Sequence, residues 1–406
     1  MKQMLKRAKQ FSNVARNSGL RAAISKSVHH VAAKTTEAVA PKIDPIEHYG
    51  FILGEPSGIG ITITPDNVPQ GSMTWIIPDF NASSGGHINI FRMMTRLREH
   101  GFPNQHVVVM EPHRWGNADE AKAALDEWFP ENGLTISLGV KSIEPSQFVV
   151  ATSWQTAYWV AKYRDAMHRL YFVQDYEPMF YSDGSESAFA ENTYKLGLTG
   201  ITAGNWLAEK LSSEYGMKTY GYQFGVDKDF YVQTEKRPSD HRNIFFYARP
   251  VTPRRCFEVG LLALQKVCEQ NPDAAVIFAG WDVSNYEIPF HHLNAGTITL
   301  SELPDLYSQC DAALVLSSTN LSLLPLEVAA CGCPIVMNRG ANTEWLMAED
   351  ELWYADMEPD SIANALNDCL NNKAEAEQRA AKAKARALNQ SWENEAGQIA
   401  EFLRSL

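Results

Sequence analysis

Residues 322–336, SLLPLEVAACGCPIV, put one carboxylate, Glu327, into the first turn of a helix expected to begin near Pro325, directly after a strand. Backbone N–H groups at a helix start can hold an anion, and Ser322, Leu323 and Leu324 supply them here, whereas Pro325 has none to give. A carboxylate beside such amides grips a hydroxyl, so the segment suits a nucleotide sugar diphosphate; read alone, it is equally a buried helix with small residues for close packing. Arg249, at the end of the strand 244–249, offers positive charge to a diphosphate, with Thr252, Arg254 and Arg255 as weaker candidates in the following turn. Gly280 and Ser317 end two further strands. Glu327 is assigned to ribose or sugar hydroxyls, and Tyr307 with the backbone near 299–303 to framing the base. In the first half, Asp175 and Glu177 follow YFVQ two positions apart, where both can contact one bound sugar if the backbone turns; an Asp there is also often a helix cap. NASSGG (81–86) lies between a strand and a helix, so Gly85 and Gly86 form either a phosphate or acceptor-hydroxyl loop, or a tight turn capped by Ser84.

The elements that must position these groups alternate. Strands are expected at 244–249, 275–280, 311–317 and 334–337, with helices at 255–270 and from Pro325 to Gly332. Apolar strands alternating with helical periodicity indicate a parallel doubly wound sheet, whose ligands sit beyond the carboxyl ends of strands. The first half repeats the pattern, with strands at 72–80, 105–110, 147–152, 170–174 and 200–203, a helix from His87 or Ile88 to His100, and helical periodicity over 153–167. Residues 373–388 read as a solvated surface helix. Residues 389–403 read as a helix capped by Ser391 with Glu393 and Glu395 in its first turn.

YAR (247–249), FAG (278–280), CDAALVLSS (310–318) and PLEVAACGCPIV (325–336) resemble the second Rossmann-like domain of family 4 glycosyltransferases of GT-B architecture. That family carries a Glu-x7-Glu motif followed by Ala-Cys-Gly-x-Pro; eight residues before Glu327 this chain has Thr319. PDFNASSGGHINIFRMMTRLREHG (78–101) and YFVQDYEPMFY (171–181) resemble the WsaF-type bacterial rhamnosyltransferases, a subgroup that also lacks the first Glu. The resemblance implies an α/β GT-B fold: two Rossmann-like doubly wound domains facing across a cleft, with a C-terminal helix crossing back. It places a basic arm at 1–45, an acceptor domain at 46–232, a linker at 233–242, a donor domain at 243–388 and the returning helix at 389–406. It further implies retaining, metal-independent transfer from dTDP-L-rhamnose, with no cofactor, onto a glycan or lipid-linked glycan of a bacterial surface polysaccharide. Asp175, then Glu177, would stand near the transferred sugar, with His87 a donor or acceptor contact at the cleft. Another nucleotide sugar, a GT-B epimerase, a non-catalytic nucleotide-sugar binder and a scaffold of polysaccharide assembly are the competing readings.

Composition agrees: 406 residues exceed one ordinary core, and 45% hydrophobic with 21% charged residues is globular material. No apolar run is long enough to span a bilayer and no signal peptide is expected. The six cysteines are expected as thiols of a cytoplasmic protein, since Cys331-x-Cys333 is not a metal knuckle. Residues 1–42 hold nine Lys/Arg and one acid, leaving 27 basic and 47 acidic residues in the remainder. Such an arm suits peripheral contact with an anionic membrane at the inner face of the cell membrane, or a partner-docking tail. The acidic remainder, without a nucleic-acid motif, points away from nucleic acid.

Overall fold

A computed structural model describes residues 44–406 apart from Ile59, Ala82, Ser83 and Glu131. The basic arm, 1–42, therefore lies outside the described residues. The chain divides into two compact units, Met1–Gly54 and Glu55–Leu406. In the first, helix α1 (Pro45–Leu53) is capped by Asp44, whose carboxylate accepts from the amides of Ile46 and Glu47, and Pro45 supplies the preset φ that starts a helix.

The second unit holds two sheets, both parallel. The first comprises β1 (Met73–Ile77), β2 (Gln105–Val109), β3 (Thr135–Leu138), β4 (Ser146–Ala151), β5 (Ala166–Val173), β6 (Thr199–Ala203) and β7 (Thr219–Tyr222), in the order β3-β2-β1-β4-β5-β6-β7. The second comprises β8 (Arg242–Tyr247), β9 (Ala274–Ala279), β10 (His292–Gly296), β11 (Ala312–Val315), β12 (Ile335–Asn338) and β13 (Trp353–Ala355), in the order β10-β9-β8-β11-β12-β13. Central strands such as MTWII and AAVIFA are buried along their whole length because helices cover both faces. The order reverses between β1 and β4 and between β8 and β11. Folds of this kind take their ligands at such switch points, beyond the carboxyl ends of the strands.

Among the helices, α2 (Gly85–Glu99), α3 (Ala118–Trp128), α4 (Trp154–Lys162), α5 (Ser185–Asn192) and α6 (Asn205–Tyr215) serve the first sheet. The second has α7 (Phe257–Gln270), α8 (Leu303–Ser308), α9 (Leu324–Ala330), α10 (Ala341–Glu344), α11 (Pro359–Asn371) and α12 (Lys373–Asn389). Helix α12 departs from the expected solvated surface helix: Ala376, Ala380, Ala383 and Ala387 are buried in one stripe that seats it beside α9. Methyl side chains let the two helices approach closely, and the Lys, Glu and Arg residues keep the other face wet.

Helix α13 (Trp392–Arg404), capped by Ser391, returns to the first sheet beside α2 and β7. Glu395 accepts from the amide of Gln223 at 2.8 Å, Phe402 stacks on Tyr220 at 5.2 Å, and the Arg92 guanidinium lies 5.0 Å from the centre of the Trp392 ring. A side chain at Gly225 would meet the Trp392 backbone at 2.5 Å, so glycine there permits the docking. The connection 233–241 carries no helix or strand and is tied to the second sheet by Arg237, paired with Asp305 at 2.7 Å.

Candidate functional site

The loop after β11 reaches into the first sheet. Asn320 Nδ2 donates to the carbonyls of Ala203 at 2.7 Å and Gln174 at 3.1 Å, the residues closing β6 and following β5, and its Oδ1 accepts from Trp345 Nε1 at 3.1 Å. Thr319 Oγ1 donates to Asp175 Oδ2 at 2.9 Å, while the Asn320 and Tyr176 amides both donate to Asp175 Oδ1 at 2.8 Å. Thr319 and Asn320 are fully buried and Asp175 is 9% exposed. Behind the loop, Asn342 Nδ2 donates to the carbonyls of Ser317 and Thr319 at 3.0 and 2.6 Å, and Asn338 exchanges two hydrogen bonds with the Ser317 backbone.

Burial pushes the Asp175 carboxyl upward, against the pull of Arg255, the Asn320 amide, Arg254 and Thr319. Arg255 donates to Ser317 Oγ at 2.9 Å and so stands at the switch point of the second sheet. Arg254 Nε lies 3.5 Å from Asp175 Oδ2. Arg249, just beyond β8, is half-buried and holds its guanidinium 5.8 Å from the centre of the Trp281 ring. Thr252 joins these arginines: its amide donates to the Arg249 carbonyl at 2.8 Å, and its own carbonyl accepts from Arg255 at 2.9 Å. Gly280 has φ +107°, and an added Cβ would meet the Tyr247 ring at 2.6 Å, so only glycine turns the chain between β9 and Trp281 at this closeness.

On the first sheet, Ser84 caps α2 and accepts from the His87 amide at 3.4 Å. Gly85 is exposed. Gly86 is tied by its carbonyl to Gln174 Nε2 at 3.2 Å, directly before Asp175. His87 Nδ1 accepts from the Asn81 amide at 3.4 Å, and burial holds the imidazole down to about 4, so it is neutral at pH 7.

The structure therefore brings Asp175, Arg254 and Arg255 together where loops of the two sheets meet, ties Gly86 to Gln174 beside Asp175, and sets Arg249 and Thr252 in the same loop as the two arginines, with Gly280 at the end of β9. Two expected residues face elsewhere. Glu177 turns back into its own sheet: Oε1 accepts from the Tyr171 hydroxyl of β5 at 2.6 Å and Oε2 from the Trp154 amide at the start of α4 at 2.8 Å, so both oxygens are occupied, and burial pushes the carboxyl up to about 7. Tyr307 is 2% exposed, edge-on to Phe245 at 5.1 Å, and a core residue has no surface with which to frame a base. Glu327 stays partly exposed in the first turn of α9, engaged by the Tyr231 hydroxyl, with Arg92 of α2 and Asp227 near; desolvation raises its carboxyl to about 7. Ser322 and Leu323 are partly exposed ahead of α9, and Leu324 is buried within its first turn.

Sequence reasoning missed Asn320, Phe180 and Trp281. An Asn in a short polar loop carries no periodic signal, whereas Trp281, an aromatic residue directly after a strand-end glycine and beside Arg249, was readable in the sequence.

Residues 242–367 match the model of the WsaF C-terminal domain family. The chain has the GT-B fold, and its relation to WsaF lies in residues 242–367. The chain is 32% identical over 339 residues to the O-antigen biosynthesis protein RfbC of Myxococcus xanthus, an alignment covering 81% of the chain and 27% of that protein. It thus spans about a quarter of the length of the curated relative it matches. Among solved structures, sucrose-phosphate synthase of Thermosynechococcus elongatus superposes with a TM-score of 0.62 at 12% identity, covering 82% of this chain and 98% of that one. Anabaena HepE in complex with UDP-glucose gives 0.62 at 16% identity, covering 82% and 100%. Among the described residues, no helix is long and apolar enough to cross a membrane, and all six cysteines are free thiols.

Proposed function

We propose that this protein is a retaining glycosyltransferase of bacterial surface-polysaccharide assembly, moving L-rhamnose from dTDP-L-rhamnose onto a glycan or lipid-linked glycan. The observation that carries the reading is the guanidinium cluster beyond β8, Arg249 with Arg254 and Arg255, placed beside Asp175, which adjoins the Gln174 contact to the Gly85–Gly86 start of α2, in a GT-B fold. Breaking the bond between an anomeric carbon and a diphosphate oxygen puts negative charge on the leaving group, and preorganised positive charge is the largest help a protein can give. Arg249 takes the diphosphate with Arg254, Arg255 and Thr252 beside it, in place of a divalent cation. Asp175 lies close enough to Arg254 to balance that charge and to favour a developing oxocarbenium ion. Rhamnose, retention and the deoxythymidine nucleotide rest on the resemblance of 78–101 and 171–181 to WsaF-type enzymes. HepE, solved with UDP-glucose, supports a nucleotide-sugar donor, and RfbC, an O-antigen biosynthesis protein, supports the polysaccharide product. The basic residues 1–42 bring the enzyme to the inner face of the membrane, where a lipid-carried acceptor lies.

The test is to incubate the protein with dTDP-L-rhamnose, with and without lipid-extracted glycan, and follow dTDP by chromatography. Release that requires the glycan supports transfer. Release without it indicates hydrolysis or epimerisation, and no release with retained nucleotide binding indicates a binding module, which the closed contact of Thr319 with Asp175 would suit.

A further inference from the structure

Each of two arginines beyond β8 lies against an aromatic ring, but the rings come from different sheets. Trp281, under Arg249, follows β9 of the same sheet. Phe180, whose ring centre is 4.3 Å from the Arg254 Cζ, ends the 3-10 turn Glu177–Phe180 beyond β5 of the opposite sheet. Phe180 and its neighbour Met179 are 38% and 49% exposed, so neither fills the core of the sheet that carries it. Arg254 Nε is buried and has no hydrogen-bond partner, since Asp175 Oδ2 stands off at 3.5 Å. A buried donor that has this long ion pair but no hydrogen bond is incompletely satisfied, which is costly. It signals a group held ready for an acceptor that arrives with a ligand.

We infer that Phe180 is a positioning residue of the diphosphate site: its ring, carried by the first sheet, fixes the Arg254 guanidinium, carried by the second, with an N–H free for a diphosphate oxygen. The inference deepens the proposed function and rests on it. An arginine side chain loses considerable rotamer freedom when it grips an anion. A ring face that has already taken that freedom away makes the grip tighter, and ties it to the approach of the two sheets across the cleft. A guanidinium on a partly desolvated ring gains enough to change an affinity roughly two- to thirty-fold.

The experiment is calorimetric titration of dTDP, UDP and GDP into the wild type, Phe180→Ala, Phe180→Tyr, Arg254→Ala and the double variant Phe180→Ala/Arg254→Ala. For the nucleotide the wild type binds most tightly, Phe180→Ala should weaken binding about ten-fold while Phe180→Tyr, which keeps the ring, stays within about two-fold. In the Arg254→Ala background, Phe180→Ala should weaken binding no further, because its effect runs through that guanidinium. Losses that simply multiply, Phe180→Tyr as weak as Phe180→Ala, or Phe180→Ala equal to wild type would each overturn the inference alone. Absence of binding by the wild type to all three would overturn the proposed function and this inference together.

Discussion

Thr319 donates its hydroxyl proton to Asp175 across the cleft at 2.9 Å, and the two residues belong to loops of different sheets. The contact is fully buried on the Thr319 side. With the Asn320 amide on the other oxygen, the second sheet clasps a carboxylate carried by the first.

Thr319→Val removes one donor while keeping the side chain's shape. It should lower unfolding stability by roughly 1–3 kcal/mol, the penalty for a buried charged acceptor that loses a partner, as read by urea denaturation. Thr319→Glu should be worse than Thr319→Val, because a second carboxylate would meet Asp175 in a buried place. A Glu variant at least as stable as wild type would show that the clasp does not exist.

Asp175→Asn keeps an acceptor for the Asn320 amide, and the Thr319 hydroxyl can reverse from donor to acceptor, so the variant should fold. Turnover should fall by at least about a hundred-fold, the scale of losing one preorganised electrostatic group, with nucleotide affinity little changed. Steady-state rates beside calorimetry make the comparison, and retained turnover rejects the role given to Asp175.

Glu327 and Glu177 are each raised by burial from about 4.5 to about 7. Between those values the folded protein keeps protons that the unfolded chain has lost, so stability falls as pH rises from about 4.5 to about 7 and is flat above, by on the order of 3 kcal/mol for each group. His87, held down to about 4, works the other way and adds stability as pH climbs from about 4 to its ordinary 6.5. Because these slopes overlap, the informative quantity is the difference between wild type and Glu327→Gln, measured by urea unfolding across pH 4.5–7. It should shift steadily in the variant's favour as pH rises. A difference independent of pH contradicts the burial of that carboxyl.

Gly280→Ala forces a side chain into a backbone with φ +107° and against the Tyr247 ring at 2.6 Å. Strain of about 1–3 kcal/mol is expected from the backbone alone, lowering the melting temperature and disturbing Trp281. An unchanged melting temperature would mean that the turn is easily remade.

The central strands were legible because they are buried on both faces and read as unbroken apolar runs: IFFYA, AVIFA and SMTWII lie within three residues of their expected limits. The short strands β3, β7, β10 and β13 were not, since TISL, TYGY and HLNAG carry little apolar signal, and each of the four strands lies at a sheet edge or in a short stretch. At the site, Arg249, Gly280 and Asp175 were readable as strand-end residues. Glu177 was not, because whether a strand-end carboxylate faces a cleft or caps a neighbouring helix depends on where the chain turns next, and here Pro178 directs it into a 3-10 turn with the carboxylate on the α4 amide. The Thr319 and Asn320 contacts, 144 and 145 residues from Asp175 in sequence, leave no local pattern at all.

The measurement that bears most directly on the central claim is titration of dTDP into wild type and Arg249→Ala, each with and without EDTA, with UDP and GDP as comparators. The account predicts selective binding of dTDP, unaffected by EDTA and weakened at least about ten-fold in Arg249→Ala, the scale of one charge-assisted hydrogen bond. Absence of binding, or equal binding by Arg249→Ala, would contradict it.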